Sequence, residues 1–463
     1  MNPSPLTPLL ALVSTFSLLA STSLMAALQP CRIEVVEDGS GWPVPLVEFR
    51  TLHQVRFVTD NAGVIAFDLP ELMGVETWFD IHGHGYEVDK DGFGYRGVRL
   101  TPEPGATLRV TVKRRMPARR LGRLTGAGLF GESQKVGAEL DWKESGVLGC
   151  DSVLNAMHKG RLFWIWGDTT LARYPLGLFH ASGATTSGQP LSSLEPPLRL
   201  HYDYFRDKDG RPRNVAEMKG EGPTWLMGLI SLPDAKGNPH LVASFSKIKP
   251  PMEIYESGLC EWNETSDNFE PVSVVWKQSG SSPKPPPMPH GHPIQWTDDQ
   301  QRSWVLFGDP LPDLRCPATY EAWKDTNTWE VLTPPTTFAA AGGKDVIKPH
   351  RGSMVWNAFR QRWVTVFVRE HGNTSYLGEI YYAEAASPRG PWGPAVRILW
   401  HDNHTFYNPR IHPGFTEQGS PLLLFEATYT RSFADRPEPT PRYDYNQVLY
   451  RLDLNDPSLI QAH

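Results

Sequence analysis

The sequence predicts an all-β protein, an N-terminal β-sandwich followed by a five-bladed β-propeller. Three observations lead there. Helical periodicity is almost absent from the 463 residues, with only 318–325 (ATYEAWKD) reading as a helical turn. Short runs that alternate apolar and polar residues, parted by Gly, Pro, Asp and Asn, fill 31–114. A weak internal repeat of five units then occupies 125–457. Composition agrees. At 11% aromatic residues the chain can bury a large core, which excludes disorder over most of its length. Only 21% of residues are charged, and 43 Pro and 40 Gly exclude a helical bundle or coiled coil. A net charge of -6 with no long Lys/Arg block argues against a nucleic-acid partner.

Residues 7–27 (TPLLALVSTFSLLASTSLMAA) are apolar, uncharged and end in small residues, so 1–27 are expected to be a signal peptide and the protein to be exported, periplasmic or extracellular. MNPSPLTP lacks the usual Lys or Arg, which leaves an uncleaved anchor as the alternative. No other run approaches the roughly 18 apolar residues of a membrane span, so no membrane contact is expected beyond this segment. Cys31, Cys150, Cys260 and Cys316 are far apart with no CxxC, and they read as buried small residues.

Within 31–114, CRIEVV, LVEFRT, VRFVTD, VIAFDL, TWFDIHG, GVRLT and LRVTVKR read as strands of a sandwich. His82 and His84 in IHGHGYE have metal-ligand chemistry but no third partner in sequence, so a turn is expected. Residues 115–124, within the basic run RRMPARRLGR, read as a linker. The run from Asp38 to Asp68 (GWPVPLVEF, VTDNAG, IAFDL) resembles the prealbumin-like, carboxypeptidase-regulatory-like modules found beside exported enzymes. That resemblance implies a supporting or docking module without catalysis.

Each of the five units opens on a small or polar segment, with openings at roughly 149, 221, 290, 350 and 408. Each continues into a strongly apolar strand: RLFWIWGDTT, PHLVASFSKI, SWVLFGDP, RWVTVFVRE and PLLLFEATY. Steps of roughly 60–72 residues exceed the roughly 40–45 of WD repeats and suit four-stranded blades with long loops. Radial closure removes exposed sheet edges, and the last strand, in PRYDYNQVLYRLDL, is expected to close the ring beside blade one. In that segment Arg442, Tyr443 and Tyr445 are weak binding candidates.

If the openings are innermost strands, their polar residues meet at one end of the axis. Asp151 and Asp168 form the most informative pair. A turn at His158-Lys159-Gly160 would fold them into one hairpin and bring both carboxyls to the same end. Two acids there, with a third across the ring raising the pKa of the proton donor, suit glycoside hydrolysis. Glu221, Glu379 and Glu426 are the candidates for that third acid. Asp151 is expected as nucleophile or base, Asp168 as modulator, and a Glu of a later blade as proton donor. His290, His292, His350, Arg351, Tyr376, Tyr407, Asn408 and His412 are the expected glycan-binding residues. Trp164, Trp166, Tyr174, Trp225, Trp262, Trp356 and Trp392 read mainly as blade-to-blade core, with sugar stacking as the alternative.

The segment DSVL…RLFWIWGDTT resembles blade one of five-bladed glycoside hydrolases, in particular a bacterial group that includes arabinan-degrading enzymes. The resemblance implies that Asp151 and Asp168, with a later-blade Glu, are the catalytic set; it implies nothing about the sugar. The histidines leave open a polysaccharide lyase, in which His or Tyr abstracts a proton beside a uronate and Arg neutralises the carboxylate. A non-catalytic glycan-binding propeller is the third reading. The hydrolase chemistry needs no cofactor; His with Asp or Glu could still hold a divalent ion such as calcium. A glycan is the expected partner, and a monomer the expected state.

Overall fold

The computed structural model describes residues 29–126, 128–172, 181–187, 195–281, 284–401, 403–434 and 438–462. The expected signal peptide and Tyr174 lie outside the described residues. All four cysteines are buried and free.

Alternating side chains build two N-terminal sheets. One runs Val64–Phe67, Cys31–Glu37, Thr107–Arg114, Tyr86–Glu87; the other runs Arg56–Val58, Glu48–Thr51, Thr77–His82, Gly97–Leu100. Cys31–Glu37 shows the alternation as a strict buried-to-half-buried pattern. The sheets face each other through aromatic contacts such as Phe67–Phe79, with ring centroids 5.5 Å apart.

Five further sheets follow, each a meander of antiparallel strands. Blade one holds Val147–Cys150 and Leu154–His158, both paired with Arg161–Leu171, then Ala181–Ser187 and Asp203–Tyr204. Blade two is Thr224–Pro233, Pro239–Lys249, Glu253–Asn263 and Asn268–Lys277. Blade three is Ile294–Thr297, Ser303–Gly308, Pro312–Pro317 and Glu330–Val331. Blade four is Pro349–Asn357, Arg362–Arg369, Glu379–Ala385 and Val396–Trp400. Blade five is Thr405–Ile411, Leu422–Thr430, Asn446–Asp453 and, from far upstream, Arg119–Arg123. The expected helical turn is the helix Tyr320–Lys324, started by Thr319, whose hydroxyl accepts the Ala322 N–H.

Packing closes the ring. Phe163 and Ile165 of blade one meet Phe245 and Trp262 of blade two. Leu232 and Val242 of blade two meet Val305 and Phe307 of blade three. Leu311 of blade three joins Trp363 and Phe367 of blade four, and Val364 and Val366 of blade four join Phe406 and Phe425 of blade five. Leu424 and Leu449 of blade five then meet Trp164 and Trp166 of blade one. Apolar faces are thus buried between each neighbouring pair, which is the main drive for the architecture.

One expectation is corrected here. Residues 115–124 are no simple linker, because Arg119–Arg123 pairs antiparallel with Asn446–Asp453 as the outer strand of blade five. The ring therefore closes through an N-terminal strand, and Asn446–Asp453 is the third strand of its blade. The sandwich packs directly on the propeller, its core running into that of blades four and five.

Candidate active site

One cavity of about 130 Å3 lies at the end of the axis. It is lined by Asp151 and Asp168 from blade one, Trp225 from blade two, His292 and Asp309 from blade three, Arg351 from blade four, and Tyr407 and Asn408 from blade five. All five blades contribute, as radial closure requires.

Local structure explains the acid pair. The inner strand of blade one breaks at Asp151–Val153, between Val147–Cys150 and Leu154–His158. Ser152 at the break is left-handed, with φ 53°. Lys159 (φ 48°) and Gly160 (φ 78°) turn the chain, so Arg161–Leu171 returns beside both pieces. Cys150 pairs with Thr169, and the Gly167 N–H donates to the Asp151 carbonyl at 2.9 Å. Asp151 and Asp168 consequently share one edge of the hairpin.

Gly167 is fixed by this geometry. A Cβ there would stand 2.4 Å from Asp151 Oδ1. Gly167→Ala should move the Asp151 carboxyl while leaving the fold intact, and kcat/KM for the cleavage assigned below should fall about 100-fold, the scale expected for an ångström of misplacement. Steady-state kinetics with a circular dichroism control would check this; unchanged kinetics would mean that the position of Asp151 is unimportant.

Electrostatics separates the two acids. Burial, with the charge of Asp168 added, pushes the Asp151 carboxyl up to about 7, against opposition from its bonds to Tyr445 and Ser152. Burial pushes Asp168 up to about 6, opposed by a hydrogen bond from Trp225. Among the described residues, buried Asp168 Oδ1 has no hydrogen-bond partner. Burial and the neighbouring acids raise the Tyr445 phenol, so it remains protonated as a donor to Asp151. Tyr445 (φ 59°) and Asn408 (φ 44°) share the left-handed conformation of Ser152, and Asn408 Nδ2 donates to Ser152 Oγ. Three strained non-glycine residues around one acid pair are typical of a functional site.

Opposite the pair, Arg351 Nη1 donates to Asp309 Oδ2 at 3.0 Å, and the Gly352 N–H donates to Asp309 Oδ1 at 2.6 Å. Burial raises the Asp309 carboxyl, opposed by Arg351. Burial, with the cations Arg410 and Arg351 adding to it, holds His292 well below the ordinary imidazole range, so it is neutral.

The other expected residues lie elsewhere. His290 binds Asp313 at 2.8 Å; Gly291, with φ 64° and its Cα against the Gly308 carbonyl, makes this segment a turn, so His290 and His292 diverge. His350 stands beside Tyr407, ring centroids 6.2 Å apart, without lining the cavity. Tyr376 is exposed and donates to Glu370. Glu221 is exposed ahead of its strand and offers only its carbonyl, to Tyr255. Glu379 is fully buried between Arg397 (2.7 Å) and Arg369 (3.4 Å). Glu426 is fully buried deeper in the propeller, 3.5 Å from His412 Nε2 and near Arg410. His412 lines a different cavity, further along the inner strands. None of the three glutamates lines the cavity of the acid pair: Glu221 faces solvent, Glu379 faces Arg369 and Arg397, and Glu426, mid-strand, faces His412 and Arg410.

Sequence reasoning missed Asp309, although a signal was present. FWIWGDTT and SWVLFGDP end alike, Trp166-Gly167-Asp168 and Phe307-Gly308-Asp309, each at the close of an apolar second strand. Trp164 and Trp262 are core, whereas Trp225 and the buried Trp166 both line the cavity. His84 sits in a turn and bonds the Tyr429 hydroxyl at 3.0 Å. Among the described residues no three of His, Cys, Asp or Glu are placed to hold a metal ion.

No family model and no curated protein matches the chain. Solved structures similar to it include an exo-1,5-α-L-arabinanase from a bovine ruminal metagenomic library, at 10% identity and TM-score 0.37, covering 67% of this chain and 94% of that one. A putative exo-β-1,3-galactanase from Bifidobacterium bifidum s17 has 9% identity and TM-score 0.37, covering 67% and 92%. A mutant α-L-arabinanase of Cellvibrio cellulosa has 9% identity and TM-score 0.37, covering 66% and 91%. Likeness this loose transfers neither an activity nor a residue role, so function must be read from the cavity itself.

Proposed function

We propose that the chain is a glycoside hydrolase whose catalytic acids are Asp151 and Asp168. The observation that carries this is the pair itself: two carboxyls from one hairpin, in one axial cavity, both raised above the ordinary carboxylate range by burial, Asp151 also by the charge of Asp168. Asp151, the later to ionise, gives its proton to the glycosidic oxygen as the C–O bond breaks. Asp168, ionised first, takes the proton of the attacking water or attacks the anomeric carbon. This differs from the expected assignment, in which Asp151 is nucleophile or base, Asp168 modulator and a later-blade Glu the proton donor; the deeper burial of Asp151 favours it as the acid. Trp225 and Tyr407 offer ring faces to the sugar. Asp309, saturated by Arg351 and Gly352, fixes Arg351 at the rim. The substrate is a glycan held in the cavity, and neither step requires a cofactor.

The test is a panel of plant, algal and bacterial glycans, assayed for new reducing ends and for unsaturated products. New reducing ends are expected, lost in both Asp151→Asn and Asp168→Asn. Unsaturated products that persist in those variants would replace the hydrolase by the lyase, and binding without turnover would replace it by a lectin-like propeller. The pH profile of kcat/KM should be a narrow bell, rising as Asp168 ionises near 6 and falling as Asp151 loses its proton near 7. A flat profile between pH 5 and 8 would remove both acids from the mechanism.

A further inference from the structure

A second cavity, of about 400 Å3, lies between the sandwich and blades four and five. Its sandwich wall holds two arginine–glutamate–arginine triads. Glu48 binds Arg50 at 2.7 Å and Arg56 at 2.5 Å. Glu87 binds Arg96 at 2.7 Å and Arg115 at 2.6 Å. Each triad has two guanidiniums for one carboxylate and so keeps one positive charge. Glu438 of the propeller wall lies 3.6 Å from Arg56 and offsets the first triad. No other acidic residue lines the cavity among the described residues, and Asp89, which feels both arginines from outside it, is itself paired with Lys113 at 2.7 Å, so the second triad keeps its charge.

The second triad is also accessible and preset. The Arg115 side chain is 54% exposed and that of Arg96 35%. Arg96 is anchored by donating to the Val88 carbonyl at 2.7 Å, which limits the entropy that a bound anion must remove. Across the cavity stands the half-buried ring of Trp400, with Asn403 and Thr440 beside it. Guanidiniums suit a carboxylate, an indole suits the C–H face of a sugar, and the Asn403 amide suits its hydroxyls, whereas the buried Thr440 hydroxyl is engaged by Tyr429 and His404. The volume falls within the range of about 300–1,000 Å3 that small-ligand sites occupy.

We propose that this cavity is a binding site for an acidic oligosaccharide, a segment carrying at least one uronate carboxylate, separate from the axial cleft. The proposal does not depend on hydrolysis.

Calorimetry on the full chain tests it, with tetragalacturonate, a neutral galactotetraose and inorganic phosphate as probes. Tetragalacturonate should bind at least tenfold more tightly than the neutral tetraose, and the preference should shrink in high salt. Arg96→Gln with Arg115→Gln should weaken it at least tenfold, and Arg115→Gln alone should weaken it less, in the same direction, with the thermal midpoint unchanged. Asp151→Asn should bind it as the wild type does. Wild-type affinity in both arginine variants, no acidic preference, phosphate binding as tightly as the oligosaccharide, or loss of binding in Asp151→Asn would each overturn the site; the last would place the sugar in the axial cleft.

Discussion

Asp151→Asn is expected to lower glycan cleavage about 10³–10⁴-fold and, at the same time, to make the protein more stable above neutral pH. A positioned general acid contributes about 10²–10⁴ in rate, and every factor of ten is about 1.4 kcal/mol of barrier. The amide keeps the shape and can still accept from Tyr445, so geometry survives while the proton is lost. The stability change follows from linkage. In the folded chain both carboxyls are raised above the ordinary aspartate value, Asp151 to about 7 and Asp168 to about 6. A raised acid favours the folded state fully below its unfolded pKa, and this advantage is lost as pH climbs through the folded value. The wild type should therefore lose stability between about pH 4 and pH 7, on the order of a few kcal/mol for Asp151. The Asn variant skips the Asp151 part of that loss. Denaturant titrations at pH 5 and pH 8, beside the reducing-end assay, would read both effects. An active variant whose stability follows pH as the wild type does would make Asp151 an ordinary turn residue.

Asp168→Asn separates the two roles further. It removes the group that ionises first and also relieves the repulsion felt by Asp151. Activity should vanish, and the remaining Asp151 carboxyl should titrate lower than in the wild type. The joint behaviour of the pair, more than either residue alone, distinguishes catalysis from burial.

The sequence made this pair legible because its determinants are local. A turn of three residues, an apolar strand and a glycine lie within one hairpin, and antiparallel register does the rest. The third acid was not legible for the opposite reason. Glu379 and Glu426 begin or interrupt apolar strands much as Asp168 ends one, but whether such a residue faces the axis or a neighbouring blade depends on partners supplied by other strands. For Glu379 these are Arg369 and Arg397, and for Glu426 they are Arg410 and His412. Asp309 was readable only by aligning the ends of second strands in blades one and three. The openings of the units located the inner strands and Asp151; the ends of the second strands held Asp168 and Asp309.

Charge also hid a structural element. RRMPARRLGR resembles a solvated linker, and its partner strand lies more than 300 residues downstream, beyond any local pattern. Arg120 and Arg123 are nevertheless 1% exposed. Long-range pairing of this kind overrides composition because the carbonyls that satisfy the guanidiniums come from elsewhere in the fold.

Arg120→Ala should accordingly produce the largest loss of stability of any single change considered. The side chain belongs to the outer strand of blade five, yet it reaches into the sandwich. Its Nε donates to the Pro45 carbonyl at 2.9 Å, its Nη2 to Leu46 at 3.2 Å and Gly83 at 2.8 Å, and its Nη1 to His84 at 3.4 Å. Its guanidinium also lies 4.9 Å from the Tyr86 ring centroid, and the Tyr86 hydroxyl accepts the Arg120 N–H at 3.1 Å. Truncation leaves four carbonyls without this donor and opens a void between the two parts, at a cost of about 3–5 kcal/mol. Arg120→Lys keeps the charge but has no planar fork, so it should recover only part of the loss. The effect should extend to the catalytic cavity. Arg119–Arg123 holds Asn446–Asp453 in register, and Tyr445, immediately before that strand, is the donor to Asp151. Equilibrium denaturation of both variants, with kcat measured below their transitions, would separate the two consequences. Full wild-type stability in Arg120→Ala would mean that the Arg120 hydrogen bonds add nothing to the joint between sandwich and propeller.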